Sequence, residues 1–151
     1  MKKMILFLSA MVVLVQVAGA QIQNPVHWAY GLKKLDDKTY EVHLKATIDE
    51  GWHIYAQKQP ETAVAVPTKI LFTLTEGLSL IKTPVESGKK EIYTVKEAGV
   101  TNYEYSNSVD FIQKVTLTSN LKEIKGTITY QTCTHQMCLQ AKTISFTVPV
   151  P

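Results

Sequence analysis

Arginine is absent from the 151 residues, and all sixteen basic residues are lysine. Recognition of phosphates and base edges leans on the planar guanidinium fork, so a face of mobile ammonium groups reads polyanions poorly, and no nucleic-acid partner is expected. There are only two cysteines, which cannot complete a four-thiolate zinc site. Beyond residue 20 there is no second long apolar run, so no stable membrane insertion is expected of the remainder. No segment sustains a helical period, and there is no internal repeat or low-complexity tract. With 45% hydrophobic and 19% charged residues, the composition excludes disorder and collagen and suits one globular domain.

What is present begins with a targeting pattern. Lys2 and Lys3 precede an apolar run from Met4 to Val17 that ends in Ala18-Gly19-Ala20. This run is shorter than the roughly 20 residues of a spanning helix and closes on an A-x-A site, so residues 1–20 read as a signal peptide cleaved after Ala20. No cysteine lies near that point, so no lipid anchor is expected. The mature chain, residues 21–151, would have 131 residues, with fourteen lysines against thirteen acids. In an exported, oxidising compartment a cysteine pair reads as a disulfide rather than a zinc site.

Residues Thr39 to Ile48 alternate, with Tyr40, Val42, Leu44, Ala46 and Ile48 apolar, which is the pattern of a half-buried strand. Similar β-rich runs occupy Trp28–Leu32, Lys69–Thr75, Val109–Leu117, Ile124–Tyr130 and Ile144–Val148. Six to eight strands are predicted. They are separated by turn clusters at Asp36-Asp37, Asp49-Glu50-Gly51, Glu76-Gly77, Ser87-Gly88 and Ser119-Asn120, with an irregular stretch from Gln57 to Pro67. Short strands at this spacing predict an all-β, antiparallel β-sandwich. Trp28 and Trp52 read as core or edge aromatics.

Cys133 and Cys138 enclose Thr134-His135-Gln136-Met137 between two of these strands, which reads as a hairpin with both thiols at its mouth. A bridge closing so short a loop stabilises by only about 2 kcal/mol. A domain of this length buries roughly two-thirds of its unfolded surface and does not need such a staple. A local bridge of small stabilising value suits a redox-active pair, although the spacing fits an inert local bridge as well. His135 and Met137 add an imidazole and a thioether, so the loop also offers a soft ligand set for Cu(I).

The run Ile128-Thr-Tyr-Gln-Thr-Cys-Thr-His-Gln-Met-Cys-Leu139 resembles the Tyr-Gln-x-Cys hairpin of the N-terminal periplasmic domain of the thiol:disulfide interchange protein DsbD. Ile48-Asp-Glu-Gly-Trp-His-Ile-Tyr55 is similar to that family's strand-turn-strand segment, and Tyr103-Glu-Tyr-Ser-Asn-Ser-Val-Asp-Phe111 to the segment that covers the disulfide. The similarity spans nearly the whole mature chain. Four residues separate the cysteines here, where better-known members have five.

The resemblance implies an immunoglobulin-like sandwich over residues 21–151, located in the periplasm, acting as a thiol:disulfide oxidoreductase of the protein-disulfide reductase type. Cys133 and Cys138 would be the redox pair, with no further cofactor and no metal. His53 and Tyr55 fall beside the pair, where an imidazolium would favour thiolate. His135 lies within the cysteine loop. Tyr103, Glu104 and Tyr105 fall in the covering segment, the family's shielding phenylalanine aligning with Glu104 or, with a small shift, with either tyrosine. Electrons would come from a thioredoxin-like protein or a DsbD- or CcdA-type membrane reductase and pass to oxidised periplasmic thiol proteins. The chain stops at Pro151, directly after the last predicted strand, so the donor is expected to be a separate protein. Two rivals stand beside this reading: an immunoglobulin-like binding module with an inert bridge, and a Cu(I) carrier.

Overall fold

The computed structural model describes residues 23–151; the expected signal peptide at 1–20 lies outside the described residues. The described chain forms nine strands in two antiparallel sheets, β1 (Val26–Lys34), β2 (Thr39–Ile48), β3 (His53–Tyr55), β4 (Lys69–Phe72), β5 (Leu78–Val95), β6 (Val100–Leu117), β7 (Glu123–Tyr130), β8 (Thr132–Cys133) and β9 (Lys142–Pro149). Six strands make one sheet in the order β1-β2-β6-β3-β8, with β5 also paired to β6, and β4-β7-β9 make the other. This is the antiparallel β-sandwich expected from the alternation and strand spacing, with the immunoglobulin-like fold that the resemblance implies.

The inward row of β2 (Val42, Leu44, Ala46, Ile48) and that of β6 (Val109, Phe111, Val115, Leu117) meet Ile124, Ile128 and Tyr130 of β7 and Phe146 and Val148 of β9 in one buried cluster. Gln113 interrupts the apolar row of β6 yet is 1% exposed. Its Nε2 donates to the carbonyls of Ile81 (3.1 Å), Lys82 (3.2 Å) and Lys114 (2.7 Å). The register of β5 against β6 slips between Ile81 and Val85, and that bulge leaves carbonyls which the Gln113 amide satisfies. Gly126 of β7 carries no side chain because a Cβ there would collide with the Leu71 carbonyl and the Phe146 ring.

Two sequence expectations are corrected. Ser87-Gly88 is not a turn: both residues lie inside the 18-residue β5, and the register shifts between Gly88 and Lys90. Glycine and serine mark a bulge here, where the backbone passes close to Ser108 and Tyr105. The strand count exceeds the expected range because β3 and β8 are three and two residues long, too short to show a period.

The fold positions the site through β6. Its C-terminal half pairs β2 from Thr116 down to Ser108, and its N-terminal half pairs β3 from Ser106 to Glu104. The change of partner falls at Asn107, whose φ of 63° is left-handed. Ahead of that kink β5 and β6 run on as a long hairpin, closed by a 3₁₀ turn at Lys96–Ala98 and by Gly99 at φ 64°. Thus β3 is held between β6 on one side and β8, carrying the first cysteine, on the other.

Candidate functional site

Residues directly opposite in an antiparallel pair share a face of the sheet. His53 lies opposite Cys133 on one side and Ser106 on the other, and Tyr55 lies opposite Glu104, which in turn lies opposite Glu91. Tyr93 lies opposite Asn102. Cys133, His53, Tyr55, Glu104, Asn102, Glu91 and Tyr93 therefore occupy one face across four strands. The alternate residues Ile54 and Tyr105 turn the other way, into the core.

The cysteine loop is the tip of the β7–β9 hairpin, as expected. Tyr130 pairs with Lys142 at the mouth, and the chain then crosses into the larger sheet as β8. Thr134 N–H donates to the Met137 carbonyl (2.8 Å) and Leu139 N–H to that of Thr132 (2.9 Å), closing a tight turn. Its Thr134 Oγ1 accepts from the amides of Gln136 and Met137, both at 3.1 Å. Cys133 and Cys138 form a disulfide. The two sulfurs have unequal surroundings, because Cys133 is fully buried while Cys138 is exposed. The chain enters the turn as a sheet strand, held on β3, and leaves it along the surface.

The loop folds back over the polar face. The His135 ring stacks on Tyr93 at 4.5 Å and 8° between planes and lies 5.4 Å from the His53 ring. His135 Nε2 is 3.4 Å from Glu104 Oε1, and His53 Nε2 is 3.3 Å from both Glu104 Oε2 and the Tyr55 hydroxyl. His53, Tyr55 and Glu104 are buried, although they point away from the hydrophobic core.

Burial sets the electrostatics of the group. His53 is pushed down to about 4, first by desolvation and then by His135, so it is neutral at neutral pH. The Glu104 carboxyl is raised by burial, an effect opposed by the hydrogen bond and charge of His135 and reinforced by Glu91. Tyr55 is raised by burial and by the neighbouring Glu104. Burial thus works against the charged form at all three positions.

Of the residues singled out in the sequence, Cys133, Cys138, His53, Tyr55, Glu104 and His135 come together. Tyr103 and Tyr105 do not join them, and Tyr103–Tyr105 are part of β6 rather than a covering loop. The Tyr103 amide donates to Gln59 Oε1 (2.9 Å). Tyr105 is in the core and its hydroxyl donates to Glu86 Oε2 (2.8 Å). The aromatic on the cysteine loop is Tyr93, which sequence reasoning missed along with Glu91 and Asn102. The alternation Glu91-x-Tyr93-x-Val95 marks a strand, but its stacking on His135 depends on the long β5–β6 hairpin. Met137 is 50% exposed on the loop. Among the described residues, no helix is long and apolar enough to cross a membrane.

The family sequence model described as "Thiol:disulfide interchange protein DsbD, N-terminal" matches residues 21–149. No curated protein matches the chain. Among solved structures, the N-terminal periplasmic domain of ScsB from Proteus mirabilis is 18% identical with a TM-score of 0.56, covering 82% of this chain and 45% of that one. The chain therefore spans less than half of that relative's length. The GAE domain of yeast GGA1 is 19% identical (TM-score 0.48, 85% and 94% covered). The DsbD N-terminal domain of Neisseria meningitidis in its reduced form is 16% identical (TM-score 0.44, 82% and 85% covered).

Proposed function

The chain belongs to the family of the N-terminal domain of the thiol:disulfide interchange protein DsbD, and on that premise we propose that Cys133 and Cys138 cycle between disulfide and dithiol to relay electrons between periplasmic proteins. Family membership and the bridged cysteine pair together support a thiol-disulfide exchange module. The observation that carries the specific reading is the unequal exposure of the two cysteines, with buried His53 paired to the inner one and Tyr55 and Glu104 against His53.

Exchange is an in-line attack of a thiolate on one sulfur of a disulfide. Cys138 is the exposed member of the pair, and its Sγ is the one a partner reaches in this reading. A donor thiolate bonds to Cys138 Sγ, the Cys133–Cys138 bond breaks, and its electron pair leaves on Cys133 Sγ. A buried thiolate is costly, and of the three neighbouring groups the Glu104 carboxyl, whose proton burial favours, is the one acidic enough to neutralise Cys133; solvent then returns a proton to Glu104. The donor's second thiol, as thiolate, then attacks the donor sulfur of the mixed disulfide and expels Cys138 as thiolate, which solvent protonates. The donor leaves as a disulfide and this domain as a dithiol, two electrons having moved. Running the same steps in reverse on an oxidised protein passes those electrons on.

A thioredoxin-like protein or domain, or a DsbD- or CcdA-type membrane reductase, is the donor in this reading, and oxidised periplasmic thiol proteins are the acceptors. The domain extends over residues 21–151 behind a cleaved signal peptide, and Tyr93 with His135 forms a cover over His53 and Glu104.

The test is capture of the mixed disulfide. A Cys133→Ala protein, incubated with a thioredoxin-like donor, should accumulate a reducible adduct on non-reducing gels, because Cys138 is attacked and nothing on this side resolves the product. Cys138→Ala should trap far less. A better trap in Cys138→Ala reverses the assignment, and no adduct with either variant removes the exchange function.

A further inference from the structure

We propose that His53, Glu104 and His135 form a binding site for a divalent cation of borderline softness, of which Zn²⁺ is the representative. Among the described residues, these three offer ligand atoms that all lie within 4.8 Å of one another. Zinc takes its ligands at 2.0–2.1 Å in a tetrahedron, which sets the ligand atoms about 3.4 Å apart. Glu104 places one oxygen at about that spacing from each imidazole, Oε2 at 3.3 Å from His53 Nε2 and Oε1 at 3.4 Å from His135 Nε2, so the carboxylate links the two rings and an ion would draw both nitrogens toward it.

A second observation points to a ligand. Glu104 Oε2 is fully buried without a hydrogen-bond partner, on a side chain 4% exposed. Buried polar atoms are satisfied in the great majority of cases, and this one faces the His53 nitrogen. Two imidazoles and a carboxylate are the donor types zinc takes in open sites, where three protein ligands leave the fourth position to water. His135 supplies that open side, since its side chain is 60% exposed while His53 and Glu104 are closed in from below.

The three ligands come from different parts of the chain: β3, β6 and the cysteine loop. An ion here would tie the loop to the sheet. None of its ligands is a cysteine, so it would bind while Cys133 and Cys138 are bridged, which separates this site from the soft Cu(I) set of cysteine, histidine and methionine. The proposal does not depend on the exchange reaction.

The oxidised protein, freed of metal by a chelator and dialysed, is titrated with Zn²⁺ against a chromogenic competitor, and the imidazole nitrogens are followed by NMR. One equivalent should bind, with the Nε2 resonances of His53 and His135 shifting together. His135→Ala, a change at an exposed position that leaves the sheet intact, should weaken binding by at least about tenfold, as loss of a metal-site group does. Glu104→Gln should do the same. His43, whose Nδ1 is 2.7 Å from Asp110 Oδ2, supplies the control: His43→Gln should leave the affinity unchanged. Absence of stoichiometric binding, binding that survives His135→Ala, or binding lost in His43→Gln would each overturn the proposal.

Discussion

Reducing the Cys133–Cys138 bridge should cost little stability, and the amount follows from where the bridge sits. The two cysteines are five positions apart, so the bridge closes a loop whose entropy in the unfolded chain falls by only about 7 cal/mol/K, or about 2 kcal/mol at 25 °C. The fold around it does not rely on the sulfurs. β8 stays paired to β3 through His53↔Cys133 and Ile54↔Thr132, and the turn keeps its backbone bonds from Thr134 to Met137 and from Leu139 to Thr132. With an unfolding entropy of roughly 2.1 cal/mol/K per residue over the mature chain, 2 kcal/mol lowers Tm by about 7 °C. Thermal melts of the oxidised protein and of the protein in a non-thiol reductant, followed by far-UV circular dichroism, measure this difference. A fall of about 20 °C or more, worth about 5.5 kcal/mol on the same scale, would refute the reasoning and make the bridge a structural staple. So would loss of the β spectrum at room temperature.

Three further outcomes are expected. His53 should remain neutral in metal-free protein until the pH approaches about 4, which an imidazole nitrogen titration by NMR reads directly; imidazolium at pH 6 would contradict the burial argument. Its folded value lies below the unfolded one, so its contribution to stability is complete above about pH 6.5 and declines as the pH falls toward 4. This decline should be missing in His53→Gln when denaturant melts are compared across that window. Tyr105→Phe should lose about 1.5–3 kcal/mol in urea unfolding, because the hydroxyl donates to the Glu86 carboxylate from a buried ring; a loss below about 0.5 kcal/mol would mean that the bond contributes little net stability. Gly126→Ala should destabilise by about 1–3 kcal/mol through overpacking against Phe146 and the Leu71 carbonyl, and an unchanged midpoint would show that sheet β4-β7-β9 yields at this point.

The sandwich was legible wherever one face of a strand is buried and the other is wet. Thr39 to Ile48 alternates cleanly because β2 sits inside the larger sheet with one face on the core. β5 was not legible in the same way: it carries exposed Val85 and Ile92 and bulges at two places, so its period is broken. Cys133, Cys138, His53, Tyr55, Glu104 and His135 were found from local motifs. Their convergence could not be read from those motifs, because it depends on β6 changing partner at Asn107 and on β7 crossing into the other sheet as β8. Glu104 shows the limit of linear alignment. It was singled out as the counterpart of a shielding aromatic, whereas its carboxyl lies under His135 and the stacked ring is Tyr93, eleven residues earlier and on the neighbouring strand.

The most direct test of the central claim is the reduction potential of the Cys133–Cys138 pair in the purified mature domain, obtained by equilibrating it in graded dithiol/disulfide buffers and quantifying the two states by alkylation. An exchanging pair should titrate at a potential more oxidising than about −300 mV, within the range of proteins that trade disulfides. A potential below about −300 mV, as is typical of structural bridges in secreted proteins, would contradict the account and leave an immunoglobulin-like module with an inert disulfide.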